Sequence, residues 1–156
     1  MRLRGRSLGI LLVGLLGWTS RPVPSADTTF AVVVHPSAPL TDISLDDLRR
    51  LFLGKTKAFK NGQPITLLEL TSARHDFYKA ALGMSEGQVK RAWIALVFQG
   101  EALAPPREVA TVGELRAFVA AHREAVGFLP IEEVDASVRA LTIGGRGPKD
   151  PGYPLR

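Results

Sequence analysis

The residues with the clearest chemical potential stand where an apolar segment meets a polar one, at Thr71, Ser72 and Arg74. The apolar segment 65–70 predicts a strand, and the next residues predict a helix that Thr71 or Ser72 caps and that ends at Gly83. A strand that feeds a helix leaves unpaired backbone N–H groups at the helix start, where the helix dipole favours an anion. Two hydroxyls and a guanidinium would add donors suited to phosphate or sulfate. Ordinary helix capping beside a solvated arginine explains the same residues, so both interpretations stay open.

Other reactive side chains form no recognisable catalytic or metal-binding pattern. The chain has no cysteine, which excludes a cysteine nucleophile, a disulfide framework and a cysteine-ligated zinc site. His35, His75 and His122 lack the i, i+4 spacing of a zinc-binding helix. Because no nucleophile and base stand in a known motif, we expect binding without catalysis, without a metal and without a cofactor.

The N-terminal segment 1–25 has the layout of a secretory signal peptide. It begins with a positive region that contains Arg2, Arg4 and Arg6. The apolar run 8–18 follows, and it is shorter than the roughly 20 residues that a membrane helix needs. Val23 and Ser25 suit the −3 and −1 positions of a cleavage site before Ala26. We therefore expect a periplasmic or secreted protein with no membrane span after cleavage; an uncleaved N-terminal anchor is the alternative.

The charge of the chain is concentrated in that first segment. The whole sequence has 20 basic and 15 acidic residues, for a net charge of +5. The segment 1–25 holds four arginines and no acid, so the rest of the chain has 16 basic residues against 15 acidic ones. A nearly neutral body lacks the field that a nucleic-acid-binding protein needs. Nucleic acid is therefore not an expected partner.

The remaining chain alternates strand-like and helix-like segments. The strand candidates are 30–34, 65–70, 125–129 and 138–143, and the helices begin near Ser44, Ser72, Ser85 and Thr111. This order predicts a three-layer α/β domain with a small mixed sheet flanked by helices. We place that domain at 26–143, and we expect the Gly- and Pro-rich segment 144–156 to be a loose tail.

Five segments carry a resemblance to a known family; they are 34–40, 45–55, 71–77, 93–100 and 125–129. In that order they resemble the hinge loop, the L-x-x-I-F-x-G-K helix, the S-G-T-R-x-x-F helix start, the W…F-x-G segment and the A-I-G-Y-V strand of the phosphate-binding components of ABC transporters. These proteins are type II periplasmic binding proteins. The resemblance implies the fold of one lobe of such a receptor. It also implies a phosphate-like ligand held by Thr71, Ser72, Arg74 and Ser37, and an ABC transporter permease as a partner.

Two departures from the family pattern leave a second hypothesis open. The chain has room for one lobe of a two-lobed receptor, and Leu67 and Ala73 stand where the family has an arginine and a threonine. Each hydrogen bond that a dehydrated phosphate fails to make costs roughly 1–3 kcal/mol. The alternative is an accessory module that has kept the lobe fold, has lost the ligand, and docks on another envelope protein or on a second copy.

Overall fold

The computed structural model describes residues 28–101 and 104–156, so the signal-peptide prediction for 1–25 lies outside the described residues. The strands are β1 (Phe30–Val34), β2 (Asp42–Ile43), β3 (Thr66–Leu70), β4 (Arg107–Val109), β5 (Ala125–Pro130), β6 (Arg139–Ala140) and β7 (Thr142–Ile143). The helices are α1 (Leu45–Phe52), α2 (Arg74–Leu82), α3 (Glu86–Phe98) and α4 (Val112–Ala121), with a 3-10 turn at Ile131–Glu133.

A mixed five-stranded sheet forms the middle of the domain, in the order β4-β3-β5-β1-β6. Strands β3, β4 and β5 are parallel, whereas β1 runs antiparallel to β5. Strand β5 has helices on both faces: a Cβ on Gly127 would lie 3.1 Å from Leu115 of α4, and the next residue, Phe128, stacks on Phe77 of α2. Because neighbouring residues of a strand point to opposite faces, the helices sandwich the sheet. The predicted three-layer α/β fold is confirmed.

Local sequence signals fix where the helices begin. The Ser44 hydroxyl accepts the backbone N–H of Asp47 at the start of α1. Helices α3 and α4 each begin with a full capping box, formed by Ser85 with Gln88 and by Thr111 with Glu114. Each box satisfies N–H groups that a helix start leaves unpaired. These three helix starts were predicted from the sequence and are confirmed.

The end of α1 packs tightly against α3. Gly54 has φ of 71°, and a Cβ there would lie 2.7 Å from Leu96 and 2.8 Å from Trp93. The Trp93 indole N–H donates to the Phe52 carbonyl at 3.0 Å. Only glycine combines that backbone conformation with that close approach. These contacts fix one side of α3 against the core, and the other side of α3 faces outward.

Three expectations about the elements need correction. Strand β4 is absent from the predicted strands, because its three residues are too few, and two of them too exposed, to give an apolar signal. The candidate 138–143 is divided into β6 and β7, which belong to different sheets. The C-terminal segment is not loose, because Tyr153 and Leu155 are buried and the Leu155 carbonyl accepts the N–H of Phe30.

Candidate functional site

Arg74, the first residue of α2, lies among three carboxylates. Its Nη1 donates to Glu69 at 2.9 Å and to Glu108 at 2.8 Å, and its Nε donates to Glu86 at 2.8 Å. The Arg74 side chain is 28% exposed, whereas that of Glu69 is 9% exposed. The structure therefore places the guanidinium inside an ion-pair cluster and not free at the helix start.

The strand register brings this cluster together. Glu69 of β3 is the direct parallel partner of Glu108 of β4. Two like charges opposite each other on neighbouring strands repel, and Arg74 relieves that repulsion by bonding to both. Glu86 joins from the first turn of α3, where a carboxylate also suits the helix dipole. The cluster thus ties β3, β4, α2 and α3 together at one edge of the sheet, the edge at which the parallel strands β3, β4 and β5 end.

Tyr78 completes the buried part of the cluster. Its hydroxyl donates to the second oxygen of Glu69, and both residues are buried. Burial and this hydrogen bond raise the pKa of Tyr78. Burial alone would lower the pKa of Arg74, but the hydrogen bonds that Arg74 donates to Glu108, Glu69 and Glu86 outweigh burial and raise that pKa. The arginine is therefore charged and already paired.

Thr71 and Ser72 do not cap α2, so that prediction is wrong. The helix begins at Arg74, and its N-cap residue is Ala73, which makes no side-chain hydrogen bond. The Thr71 hydroxyl and backbone N–H instead donate to the Val109 carbonyl, at 3.3 and 3.0 Å. Thr71 and Ser72 are both exposed. Thr71 therefore joins β3 to β4, and Ser72 stands in the turn between β3 and α2.

Ser37 is not brought to the other three predicted site residues. It follows β1, which is antiparallel to β5, whereas Thr71 follows β3, which is parallel to β5. Ser37 therefore lies at the opposite edge of the sheet. There its carbonyl accepts from Arg123 at 3.0 Å, and its backbone N–H donates to His35 Nδ1 at 2.9 Å.

A groove of about 730 Å³ adjoins the Arg74 cluster. Its polar end holds the cluster itself, and its apolar end is lined by Trp93, Ile94, Val97 and Phe98 of α3 together with Pro105 and Pro106. Phe98 is 86% exposed, Val97 48% and Ile94 44%. The sequence did not predict this groove, because apolar residues of a helix that face outward cannot be distinguished by type from those that face the core.

The three glutamates were also missed. Glu69 interrupts the strand 65–70, which was interpreted as apolar on both sides, and a carboxylate in such a strand signals a buried partner. Glu86 and Glu108 carry no comparable signal, since exposed acids are common at a helix start and in a loop.

The part of the chain that the structure describes contains no candidate metal site and no candidate membrane-spanning helix. Within 28–101 and 104–156, no group of acidic or histidine side chains is arranged to hold a metal ion. No helix in these ranges is long and apolar enough to cross a bilayer.

Several solved structures with a similar fold are described as phosphate-transport or phosphate-binding proteins. An ABC-type phosphate transport receptor from Vibrio cholerae matches with a TM-score of 0.62 and 20% identity over 78% of this chain. A putative phosphate ABC transporter substrate-binding protein from Clostridium perfringens, with bound phosphate, matches with 0.61 and 19% over 76%. PstS from Borrelia burgdorferi matches with 0.59 and 12% over 81%. The resemblance seen in the sequence is confirmed at the level of the fold.

The chain spans about half the length of these structures: 48%, 46% and 53% of the three matched chains. No protein-family model matches the sequence. No curated protein matches it either.

Proposed function

We propose that the chain is an exported, non-catalytic binding lobe that docks onto a partner protein of the cell envelope and does not hold free phosphate. The observation that carries this proposal is the pairing of Arg74 with Glu69, Glu86 and Glu108. The fold favours binding over chemistry, since the neighbouring structures are transport receptors. Export rests on the signal-peptide pattern of the first 25 residues.

The electrostatics at Arg74 oppose an anion. At an effective dielectric constant of 20, two unit charges about 5 Å apart interact by roughly 3 kcal/mol. A phosphate at Arg74 would gain one such attraction and face repulsion from three carboxylates. Leu67 and Ala73 are buried and apolar, so they offer no further donors. A partner protein, in contrast, can bind by shape and apolar contact.

Binding of an oxyanion at the start of α2 is the second candidate function. It is favoured by the neighbouring structure from Clostridium perfringens, which contains bound phosphate. In this candidate the guanidinium of Arg74, the exposed side chains of Thr71 and Ser72, and the first-turn N–H groups of α2 would hold the anion. An ABC transporter permease would then be the natural partner.

Site-specific photo-crosslinking in the producing organism tests the docking proposal. A benzophenone amino acid is placed at position 98 in the groove, and at the exposed positions 46 and 132 elsewhere on the surface. We expect a discrete adduct with one envelope protein from at least one position. Calorimetry of the full-length chain with phosphate and with sulfate tests the second candidate. Docking would be contradicted, and oxyanion binding supported, by two results together. Phosphate binding would release or absorb heat that Arg74→Met abolishes, and no position would give a crosslinked adduct.

A further inference from the structure

Helix α3 presents two faces of different character. Val89 and Trp93 pack into the core, and Trp93 is tied to α1 by its indole N–H. Ile94, Val97 and Phe98 face outward and are the large hydrophobic residues that are exposed in the part of the chain that the structure describes. An apolar patch that lies beside a groove marks an interaction surface more often than scattered apolar residues do. The position of α3 therefore gives the groove one apolar end.

The other end of the groove has an excess of negative charge. It holds three carboxylates, against the cations Arg74 and Lys90. Arg74 bonds to all three carboxylates through its Nε and Nη1 atoms, but the side chains of Glu86 and Glu108 stay 39% and 64% exposed. Their outer surfaces can accept further hydrogen bonds from a cationic group.

We propose that this groove takes an amphipathic, basic segment of the partner protein. Apolar side chains of that segment would cover Ile94, Val97 and Phe98, and a lysine or arginine would reach Glu86 and Glu108. This inference rests on the proposed docking function and names the chemistry of the partner. The polar end holds three carboxylates against two cations. This excess of negative charge favours a basic segment over an acidic one, because an acidic segment would be repelled.

Fluorescence anisotropy with three labelled helical peptides tests the proposal on the full-length chain. The first peptide has a leucine face and a lysine face. In the second, glutamate replaces lysine, and in the third, serine replaces leucine. We expect the leucine–lysine peptide to bind in the micromolar range, and the other two at least about tenfold more weakly.

Matched variants locate the binding. Phe98→Ser should weaken the leucine–lysine peptide about tenfold, and because Phe98 is so exposed, circular dichroism should show an unchanged fold. Glu108→Gln should weaken it about threefold, whereas Asp46→Asn, an exposed carboxylate outside the groove, should have no effect.

Several outcomes would overturn the proposal. If the leucine–glutamate peptide binds as tightly as the leucine–lysine peptide, charge does not select the partner. If the leucine–lysine peptide does not bind up to about 1 mM, the groove is not a peptide site. A dimer in sedimentation that Phe98→Ser dissociates would assign the groove to a second copy of the chain. Binding that appears only after residues 1–25 are cut off would assign it to the chain's own N-terminal segment. If photo-crosslinks form at position 46 or 132 while no peptide binds, the docking function stands and the groove proposal alone fails.

Discussion

Arginines at the two opposite edges of the sheet are held in different ways. Arg74 bonds to three carboxylates, so its cluster has an excess of negative charge. At the other edge, Arg123 and Arg139 donate to backbone carbonyls of the loop after β1, at Ser37, Ala38 and Leu40. A carbonyl has a dipole but no net charge, so these partners do not neutralise the two guanidinium groups. An arginine beside a helix start is therefore not evidence of an anion site until its partners are known.

Removing the charge of Arg74 should have the largest effect on stability. Arg74→Met leaves the buried Glu69 beside Glu86 and Glu108 without a cation, and loss of one partner from a buried ion pair costs about 3–5 kcal/mol. Because Arg74 and Glu108 are partly exposed, we expect a loss of about 2–3 kcal/mol in the free energy of unfolding, measured by urea denaturation. The double variant Arg74→Met with Glu69→Gln should recover part of it. If Arg74→Met alone is as stable as the wild type, the ion-pair cluster does not stabilise the fold as we infer.

Removal of the arginines that bond to carbonyls should destabilise the fold less than removal of Arg74. Arg139 donates to two carbonyls, at 2.8 Å and 2.6 Å. Arg139→Met should therefore lower the free energy of unfolding by about 1–2 kcal/mol, because two carbonyls lose a charged donor. Arg123→Met is the control in the same loop: it removes one exposed bond and should cost about 0.5 kcal/mol or less. If Arg139→Met lowers the free energy of unfolding more than Arg74→Met does in the same urea experiment, the expected order of these two effects is wrong.

Alkaline pH should weaken the fold through its buried tyrosines. Burial raises the pKa of Tyr153 to about 12, and burial with the Glu69 hydrogen bond raises the pKa of Tyr78. An unfolded tyrosine has a pKa of about 10, so the unfolded state releases its protons first. The free energy of unfolding should be insensitive to these groups below about pH 10 and should then fall by on the order of 1 kcal/mol or more toward pH 12. Thermal melts of Tyr153→Phe should show a shallower fall; an identical pH profile would contradict the assignment to Tyr153.

Inorganic phosphate should have the smallest effect of all. A ligand that binds the folded state raises the melting temperature only when its concentration exceeds Kd. We expect no shift in melting temperature with about 10 mM phosphate, compared with an equal ionic strength of chloride. A shift that is specific to phosphate and lost in Arg74→Met would favour the second candidate function.

Much of the fold was predictable because its signals are local. The β-branched run 30–34 is β1, with the bounds that the sequence predicts. The capping residues Ser44, Ser85 and Thr111 begin the helices that they were predicted to begin. Each of these signals spans a few residues, which is the range that single-sequence patterns can report.

The site could not be predicted because its partners are distant along the chain. Glu69, Glu86 and Glu108 meet only when β3 pairs with β4 and α3 packs beside them, and β4 itself gives no apolar signal. The direction of β1 likewise decides that Ser37 lies far from Thr71, and no local pattern states that direction. Side chains of the right type were found, but their partners were set by tertiary structure.

The Arg74 side chain itself offers the most direct test of the central claim, that its charge is already used within the fold. The resonance of its Nε–H, observed by NMR on the full-length chain, can be followed during a phosphate titration to about 10 mM. We expect no change of this resonance in the wild type, and a saturable shift in the double variant Glu86→Gln with Glu108→Gln, in which the guanidinium has lost two of its carboxylate partners. A saturable shift of this resonance in the wild type would contradict the claim.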